Sequence, residues 1–274
     1  MPDLISVFSR WWKPIILLTA ITTLLTGIVV SFLPKEYLST VTALPASSTA
    51  TDKGAIFNTN ILSLYPSLGT ADDLDKIVGT TKLDTLYTAV ANQFNLPNHY
   101  GVTKEQFPLY VAAQKLKTNT RINKSEYGEL KIKVWDTESV VAAQLANGLF
   151  QQLQLMHQQL QNKSNQLILQ NLQKEYTREV VARGQSAAVM EADSTSVSTV
   201  PLVAGGAMQY QLLINQYQLM VTTNPPVLLV VEEARPAMYP DRPKVLQSVL
   251  VAFFASLLFS FLLVLAICGN EYPK

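Results

Sequence analysis

The chain has 274 residues, a formal net charge of +1, 48% hydrophobic residues and only 15% charged residues. Soluble domains carry about 25% charged residues, so this composition indicates apolar segments that need no solubilising charge. A net charge near zero excludes a protein that binds nucleic acid through bulk positive charge. One cysteine and two histidines exclude a disulfide scaffold and a zinc site built from cysteine and histidine.

Two uncharged apolar segments lie near the chain ends. The first covers residues 15–33, between Pro14 and Pro34, and the second covers residues 245–268. A membrane-spanning helix needs about 20 apolar residues, so each segment predicts one transmembrane helix. The first is longer than the apolar region of a signal peptide, which has about 7–15 residues, and is therefore predicted to be an uncleaved anchor.

The residues that flank the first span predict the topology. Trp11 and Trp12 precede it, where indole rings favour the headgroup layer, and the basic residues on that side favour a cytoplasmic N-terminus. Two spans then return the C-terminus to the same side. The expectation is a multi-pass inner-membrane protein with cytoplasmic tails at residues 1–14 and 269–274, and with its main domain in the periplasm.

Residues 34–136 predict a membrane-proximal α/β part. Residues 37–45 are rich in β-branched side chains and predict a strand. Apolar residues three and four apart at 71–94 predict helix. Two further strands are predicted at 116–122 and 129–135, because apolar and polar residues alternate in the second of them.

Residues 137–222 predict a long helical arm. Apolar side chains recur every three or four residues on one face of its first helix, which is predicted at 137–183. This face carries Leu145, Leu149, Leu153, Met156, Leu160 and Leu167. Small and polar residues at 184–206 predict a tip loop, and residues 208–221 predict a shorter return helix.

Residues 223–244 predict a returning strand and a proline-rich segment that leads into the second span. The strand is expected to be buried, because residues 227–231 are all valine or leucine. The predicted fold class is α+β. Two transmembrane helices flank a periplasmic domain that has a membrane-proximal mixed sheet and a long helical hairpin arm.

Short motifs in three parts of the chain resemble one known family. They are PKEY at 34–37, LKIKVWDTES at 130–139 with AAQLAN at 142–147, and EARP at 233–236 with PDRPK at 240–244. Their order around two spans resembles the polysaccharide co-polymerases, the Wzz-type chain-length determinants of bacterial surface polysaccharides. The chain resembles the members without a fused tyrosine kinase, since only six residues follow the second span.

The resemblance implies a non-enzymatic, oligomeric inner-membrane scaffold that regulates chain length or polymerisation of an O-antigen, capsule or exopolysaccharide. It implies a homo-oligomer, a membrane polysaccharide polymerase as partner, and the growing glycan as a further candidate contact. One alternative is an export co-polymerase that works with a separate kinase and an outer-membrane channel. An alternative of another class is a two-span sensor or tether, which would need a cytoplasmic part large enough for signalling.

The sequence offers no pattern of a catalytic or cofactor site. It contains no G-x-x-x-x-G-K-[ST] phosphate loop and no G-x-S-x-G elbow. Its adjacent acidic pairs do not share a face of a helix or a strand. We therefore expect no enzyme, no catalytic residue, no cofactor, no metal and no nucleic acid.

Two groups of residues are the candidate functional positions. Small residues about four apart let helix backbones approach closely in a bilayer. Such residues are Ser248, Ala252, Ser256 and Ser260 in the second span, and Ala20, Thr23 and Gly27 in the first. The prolines of the last segment stop a strand and aim the second helix, and the resemblance adds that they couple the external domain to the spans. This coupling segment consists of Pro236, Pro240, Pro243 and Lys244.

Overall fold

The computed structural model describes the backbone of residues 4–46, 71–190 and 200–270, and the side chains of residues 12–46, 74–181 and 209–264. In chain order the elements are α1 (Leu4–Phe32), β1 (Tyr37–Pro45), α2 (Ala71–Thr80), α3 (Asp84–Gln93), α4 (Leu96–His99), α5 (Pro108–Thr118), β2 (Thr120–Lys124), β3 (Leu130–Asp136), α6 (Ser139–Met190), α7 (Val200–Thr223), β4 (Leu228–Glu232) and α8 (Val245–Asn270). The predicted α+β class is confirmed.

The chain forms two compact units. The helix-pair unit consists of Met1–Ser39, Trp135–Ala143 and Arg235–Lys274, and the sheet unit consists of Thr40–Val134 and Gln144–Ala234. The helix-pair unit therefore contains both long terminal helices, and the sheet unit contains most of the residues between them.

A four-stranded sheet organises the sheet unit, with strand order β2-β3-β1-β4. β2 is antiparallel to β3, with Ile122 opposite Ile132, and β1 is antiparallel to β4, with Leu44 opposite Leu229. Alternate residues of β3 are fully buried, because its pleat turns Leu130, Ile132 and Val134 to the core. The predicted strand at 37–45 is confirmed with both of its ends.

Helix α5 replaces part of a predicted strand. Residues 116–122 were expected to be extended, but Pro108–Thr118 is helical and β2 begins only at Thr120. Pro108 lies in the first turn of the helix, where its fixed φ is favourable. Ala112, Ala113 and Leu116 share its buried face and pack in the core, where α5 contacts α3. Helical spacing therefore outweighs strand propensity here.

Strand β4 is an exposed edge strand and not the buried strand that its composition predicts. Only Leu228 is buried, whereas Leu229, Val230 and Val231 are all exposed. β4 lies at the end of the strand order, so one of its sides has no neighbouring strand within this sheet. A run of apolar residues identifies a strand, but it does not tell how many of the strand's faces are covered.

Helix α6 has 52 residues and is about 78 Å long at a rise of about 1.5 Å per residue. The tip loop expected at 184–206 is wrong in part, because α6 continues to Met190 and α7 begins at Val200. An isolated Gly184 in a helix costs only about 1 kcal/mol relative to alanine, which the helix formers around it offset. Residues 191–199 lie outside the described part of the chain.

The two terminal helices are long and apolar enough to cross a membrane by length and composition, over Trp12–Phe32 and Val245–Val264. α1 begins at Leu4, so most of the predicted tail at 1–14 is helical. Pro14 lies inside this helix, where it removes one backbone donor and its ring crowds the carbonyl four residues earlier. Residues 1–3 and 271–274 of the predicted tails lie outside the described ranges.

Candidate functional site

Helices α1 and α8 pack against each other in the helix-pair unit. They run antiparallel, because the segment that leaves α1 pairs with the segment that enters α8 through Glu36 and Arg242. The buried face of α1 includes Ile15, Thr19 and Val30. Gly27 also lies at the contact, since a Cβ added to it would be 3.8 Å from Val249 Cγ2, an ordinary contact distance.

Hydroxyl groups along both helices are satisfied within their own helix. Thr19 donates to Ile15 O at 3.0 Å, Thr23 donates to Thr19 O at 2.7 Å, and Ser260 donates to Ser256 O at 2.6 Å. A polar group in a bilayer needs such an internal partner, because no water is available there. These hydroxyls can therefore face another helix without requiring a hydrogen bond from it.

The structure separates the predicted small residues into three groups. Ser260 is only 3% exposed. Ser248, Ala252, Ser256, Thr23 and Gly27 are partly buried, and Ala20 is exposed. Thr19, which the spacing argument missed, occupies the buried position beside Ala20 and is 5% exposed. Thr19, Ala20 and Thr23 all line a groove of about 590 Å³ between the helices.

Four residues outside the two helices form a second feature, which we call the clasp: Glu36, Trp135, Asp241 and Arg242. The backbone of Glu36 donates to Arg242 O at 2.9 Å and accepts from Asp241 N at 2.8 Å. The guanidinium of Arg242 lies 3.5 Å from Glu36 Oε2. The clasp therefore joins the exit of α1 to the entry of α8.

Trp135 connects the same clasp to the end of β3. Its indole Nε1 donates to Asp241 Oδ2 at 2.8 Å, and the Arg242 guanidinium lies 4.0 Å from its ring centroid. The indole is 8% exposed, so its donor needs the partner that Asp241 provides. A cation over a tryptophan ring contributes about 0.5–1 kcal/mol at an exposed site.

The residue after Trp135 lies at the end of β3, just before the long helix. Asp136 is buried, and its Oδ1 accepts a hydrogen bond from the backbone of Glu138 at 3.0 Å. A carboxylate in this position satisfies a free backbone donor at a helix N-terminus and complements the helix dipole. The first turn of α6 and the clasp are therefore held by adjacent residues.

The predicted coupling segment lies on both sides of the clasp. Pro236, Pro240 and Lys244 are exposed, and Pro243 is partly buried. The carbonyl of Arg235 accepts from Ser39 Oγ at 2.9 Å, which fixes the start of the segment. Sequence reasoning selected these prolines and missed the clasp, because Trp135 and Glu36 are 106 and 206 positions away from their partners.

The sheet unit holds one histidine against a neighbouring helix. His157 Nε2 lies 2.7 Å from Thr80 Oγ1, and the Thr80 hydroxyl donates to Ile77 O. The Thr80 oxygen therefore accepts a hydrogen bond from the N–H at His157 Nε2. Burial lowers the pKa of His157 below its ordinary value, which fits a packing role. Among the described side chains, no three His, Cys, Asp or Glu residues lie close enough to bind a metal ion.

Comparison with known proteins supplies structural neighbours only. No protein-family profile matches the sequence, and no curated protein matches it significantly. The chain is similar to a solved structure described as a full-length bacterial polysaccharide co-polymerase. The TM-score is 0.45 at 15% sequence identity, over 99% of this chain and 98% of that chain.

A second similar structure is a fragment of WzzB, a polysaccharide co-polymerase from Salmonella Typhimurium. The TM-score is 0.39 at 12% identity, over 76% of this chain and 100% of that chain. Both solved structures are polysaccharide co-polymerases.

Proposed function

We propose that this chain is a non-enzymatic, oligomeric scaffold of the bacterial inner membrane that sets the chain length or polymerisation of a surface polysaccharide. Its partner is a membrane polymerase, and its main domain faces the periplasm. The observation that carries the proposal is the clasp together with the two apolar helices. It fits the motif order that the sequence shares with chain-length determinants.

The clasp gives this scaffold a means of coupling. The chain passes between its two units at residues 39–40, 134–135, 143–144 and 234–235, and all four clasp residues lie within seven positions of one of these passages. A rigid clasp would transmit a change in either unit along the chain. The proposed role of the coupling segment, with Pro236, Pro240, Pro243 and Lys244, is to fix the position of the clasp relative to the start of α8.

Exposed leucine and valine on α6 support an oligomer. Leu160, Leu167 and Val181 lie seven and fourteen residues apart, so they share one face of the helix. We call this face the distal seam. Each of its members is more than half exposed, and apolar strips of this kind mark interaction surfaces. A neighbouring copy of the chain is the proposed partner of this strip, since most soluble oligomers are homo-oligomers.

The function is tested by deleting the gene and resolving the surface polysaccharide by size on a gel. We expect the modal length to be lost and the total amount to be largely kept, with full-length protein restoring the parental distribution. An unchanged size distribution would contradict chain-length control. Polysaccharide that accumulates inside the cell without reaching the surface would favour the export co-polymerase.

The topology is tested with single cysteines in a Cys268→Ser background. Tyr127→Cys, on an exposed turn of the sheet unit, is expected to react with an impermeant thiol reagent in spheroplasts. Ser9→Cys, before the first span, is expected to react only after lysis. The opposite pattern would place the main domain in the cytoplasm.

The packing of the spans is tested by adding bulk to the buried face. Ser260→Leu is expected to separate α1 from α8, because overpacking costs about 1–3 kcal/mol, and to impair length control without preventing insertion. Phe254→Leu, at an exposed position of α8, is the matched control. If both variants give the same polysaccharide size distribution at equal protein levels, packing through this face does not affect length control.

The clasp is tested by separating its two interactions. Trp135→Phe keeps an aromatic ring beneath Arg242 and removes the donor to Asp241, whereas Trp135→Leu removes both. We expect length control to weaken in the first variant and to fail in the second, at matched protein levels. Parental polysaccharide in the leucine variant would contradict a coupling role.

A further inference from the structure

Two side chains in the coupling segment are unusually exposed. Met238 is 90% exposed and Tyr239 is 82% exposed. In the same helix-pair unit, Phe32 at the end of α1 and Leu246 at the start of α8 reach 85% and 80%. These four large side chains are all found where the chain leaves or enters the two apolar helices.

The clasp keeps Met238 and Tyr239 near that end of the helix pair. Tyr239 is three residues from Arg242, a distance of at most about 10 Å along an extended chain. Arg242 is itself bonded to Glu36, four residues past the end of α1. The tip of the segment is therefore tethered within a few residues of both span ends.

The chemistry of the tip suits the boundary of a bilayer. Tyrosine favours the headgroup layer, since its ring is apolar and its hydroxyl is polar. Pro236 and Pro240 flank the tip and carry no backbone N–H that would need a partner. Three exposed cations of the same unit, Lys35, Arg235 and Lys244, provide charges that attract lipid phosphate.

We propose that Met238 and Tyr239 insert into the headgroup layer of the leaflet that adjoins the clasp, so that residues 236–243 lie on the phospholipid surface. This inference rests on the proposed function to the extent that α1 and α8 must span the membrane. It adds a third membrane contact, formed by an irregular segment, to the two spanning helices. The clasp then lies beside the lipid headgroups, at the end of the helix pair where the chain leaves α1 and enters α8.

The experiment uses full-length protein with Cys268→Ser and one introduced cysteine, labelled with an environment-sensitive nitrobenzoxadiazole dye. The labelled positions are Met238→Cys, Leu258→Cys within α8, and Tyr127→Cys. Tyr127 is as exposed as Phe32 and belongs to the sheet unit, which makes it the matched control. Each protein is reconstituted in phosphatidylcholine vesicles brominated either near the headgroup or near the chain ends.

The dye at 238 is expected to lose fluorescence most strongly to lipid brominated near the headgroup. The dye at 258 is expected to lose it to lipid brominated near the chain ends, and the dye at 127 to neither. Adding Tyr239→Ser to the Met238→Cys protein is expected to reduce the loss at 238, because the second anchoring side chain is removed.

The outcomes separate this inference from the proposed function. If the dye at 258 is quenched while the dye at 238 is as insensitive as that at 127, the tip does not contact lipid and the inference fails alone. If the dye at 258 is not quenched by either lipid, α8 does not lie in the bilayer, and the inference and the proposed function fail together.

Discussion

Two stretches of helix α6 have similar apolar spacing and opposite surroundings. In the proximal stretch, residues 144–154, Leu145, Leu149 and Leu153 are fully buried. In the distal stretch, residues 155–181, Leu160 and Leu167 continue the same series but are 59% and 55% exposed. The repeat therefore predicts which side chains share a face, whereas the covering of that face depends on the rest of the fold.

The proximal stretch is covered by elements of its own unit. Gly148 lies directly against the ring of Phe94, with no room for a Cβ. The side chain of Asn147 accepts from the backbone N–H of Ala234 at 3.0 Å and donates to the carbonyl of the same residue at 3.2 Å. The Asn147 amide therefore satisfies both backbone groups of Ala234, two residues after β4, as a neighbouring strand would do.

The distal stretch has a polar composition around its apolar strip. Glutamine and asparagine are frequent between residues 158 and 173, and the more numerous glutamine favours helix without adding charge. A helix of this kind is soluble and still able to bind a partner through the distal seam. The proximal stretch therefore stabilises the fold of its unit, whereas the proposed assembly uses the distal stretch.

The largest expected effect is the loss of a proximal leucine. Leu149→Ala removes a fully buried side chain and is expected to lower the free energy of unfolding by about 2–5 kcal/mol. Chemical denaturation in mild detergent, followed by circular dichroism, measures it. Leu160→Ala is the matched substitution in the distal seam, and on dissociated protein it is expected to change stability by less than about 0.5 kcal/mol. If both variants lose the same free energy of unfolding, the proximal and distal stretches do not differ in their contribution to folding.

The next effect comes from the close approach at Gly148. Gly148→Ala places a methyl group into the Phe94 ring, so the ring or the helix must shift at a cost of about 1–3 kcal/mol. Phe94→Leu in the same chain is expected to recover part of that stability, since a smaller side chain makes room. If Gly148→Ala leaves the free energy of unfolding unchanged, α6 and the ring of Phe94 can move apart at little cost.

The smallest effect concerns His157, at the boundary between the two stretches. Burial lowers the pKa of His157, whereas in the unfolded chain it titrates near about 6.5. The unfolded chain therefore binds more protons as the pH falls below that value, and stability falls with it. Above it, the contribution is fully present. His157→Gln is expected to flatten this decline in unfolding curves between about pH 8 and about pH 5. If stability falls equally with pH in both proteins, the decline comes from a group other than His157.

The sequence predicts most elements whose pattern is local. The two apolar helices, β1 and β3 follow from composition and alternation, and α6 follows from its leucine spacing. The strand predicted at 116–122 is wrong for residues 116–118, which are helical, because the buried face of α5 includes Ala112 and Ala113, which carry little hydrophobic signal. The exposure of β4 depends on its place at the sheet edge, which no single segment encodes.

The candidate site was predictable only in part. The packing role of small residues four apart in α1 and α8 stays a prediction, and Ala20 and Thr19 differ in burial although they are neighbours. The clasp escaped prediction because it joins three distant segments by one indole, two carboxylates and one guanidinium. Such a site is recognisable only when the topology has brought its parts together.

The most direct test is the mass of the detergent-solubilised complex at micromolar protein concentration. It compares the parental chain with a Leu160→Gln, Leu167→Gln variant of the distal seam. The control is Gln159→Ala, Gln166→Ala, which changes exposed residues on the same helical turns. We expect several subunits for the parental chain and the control, and a smaller complex with unchanged helicity for the seam variant. A parental chain that is monomeric, or a seam variant that keeps the parental mass, would contradict assembly through the distal seam.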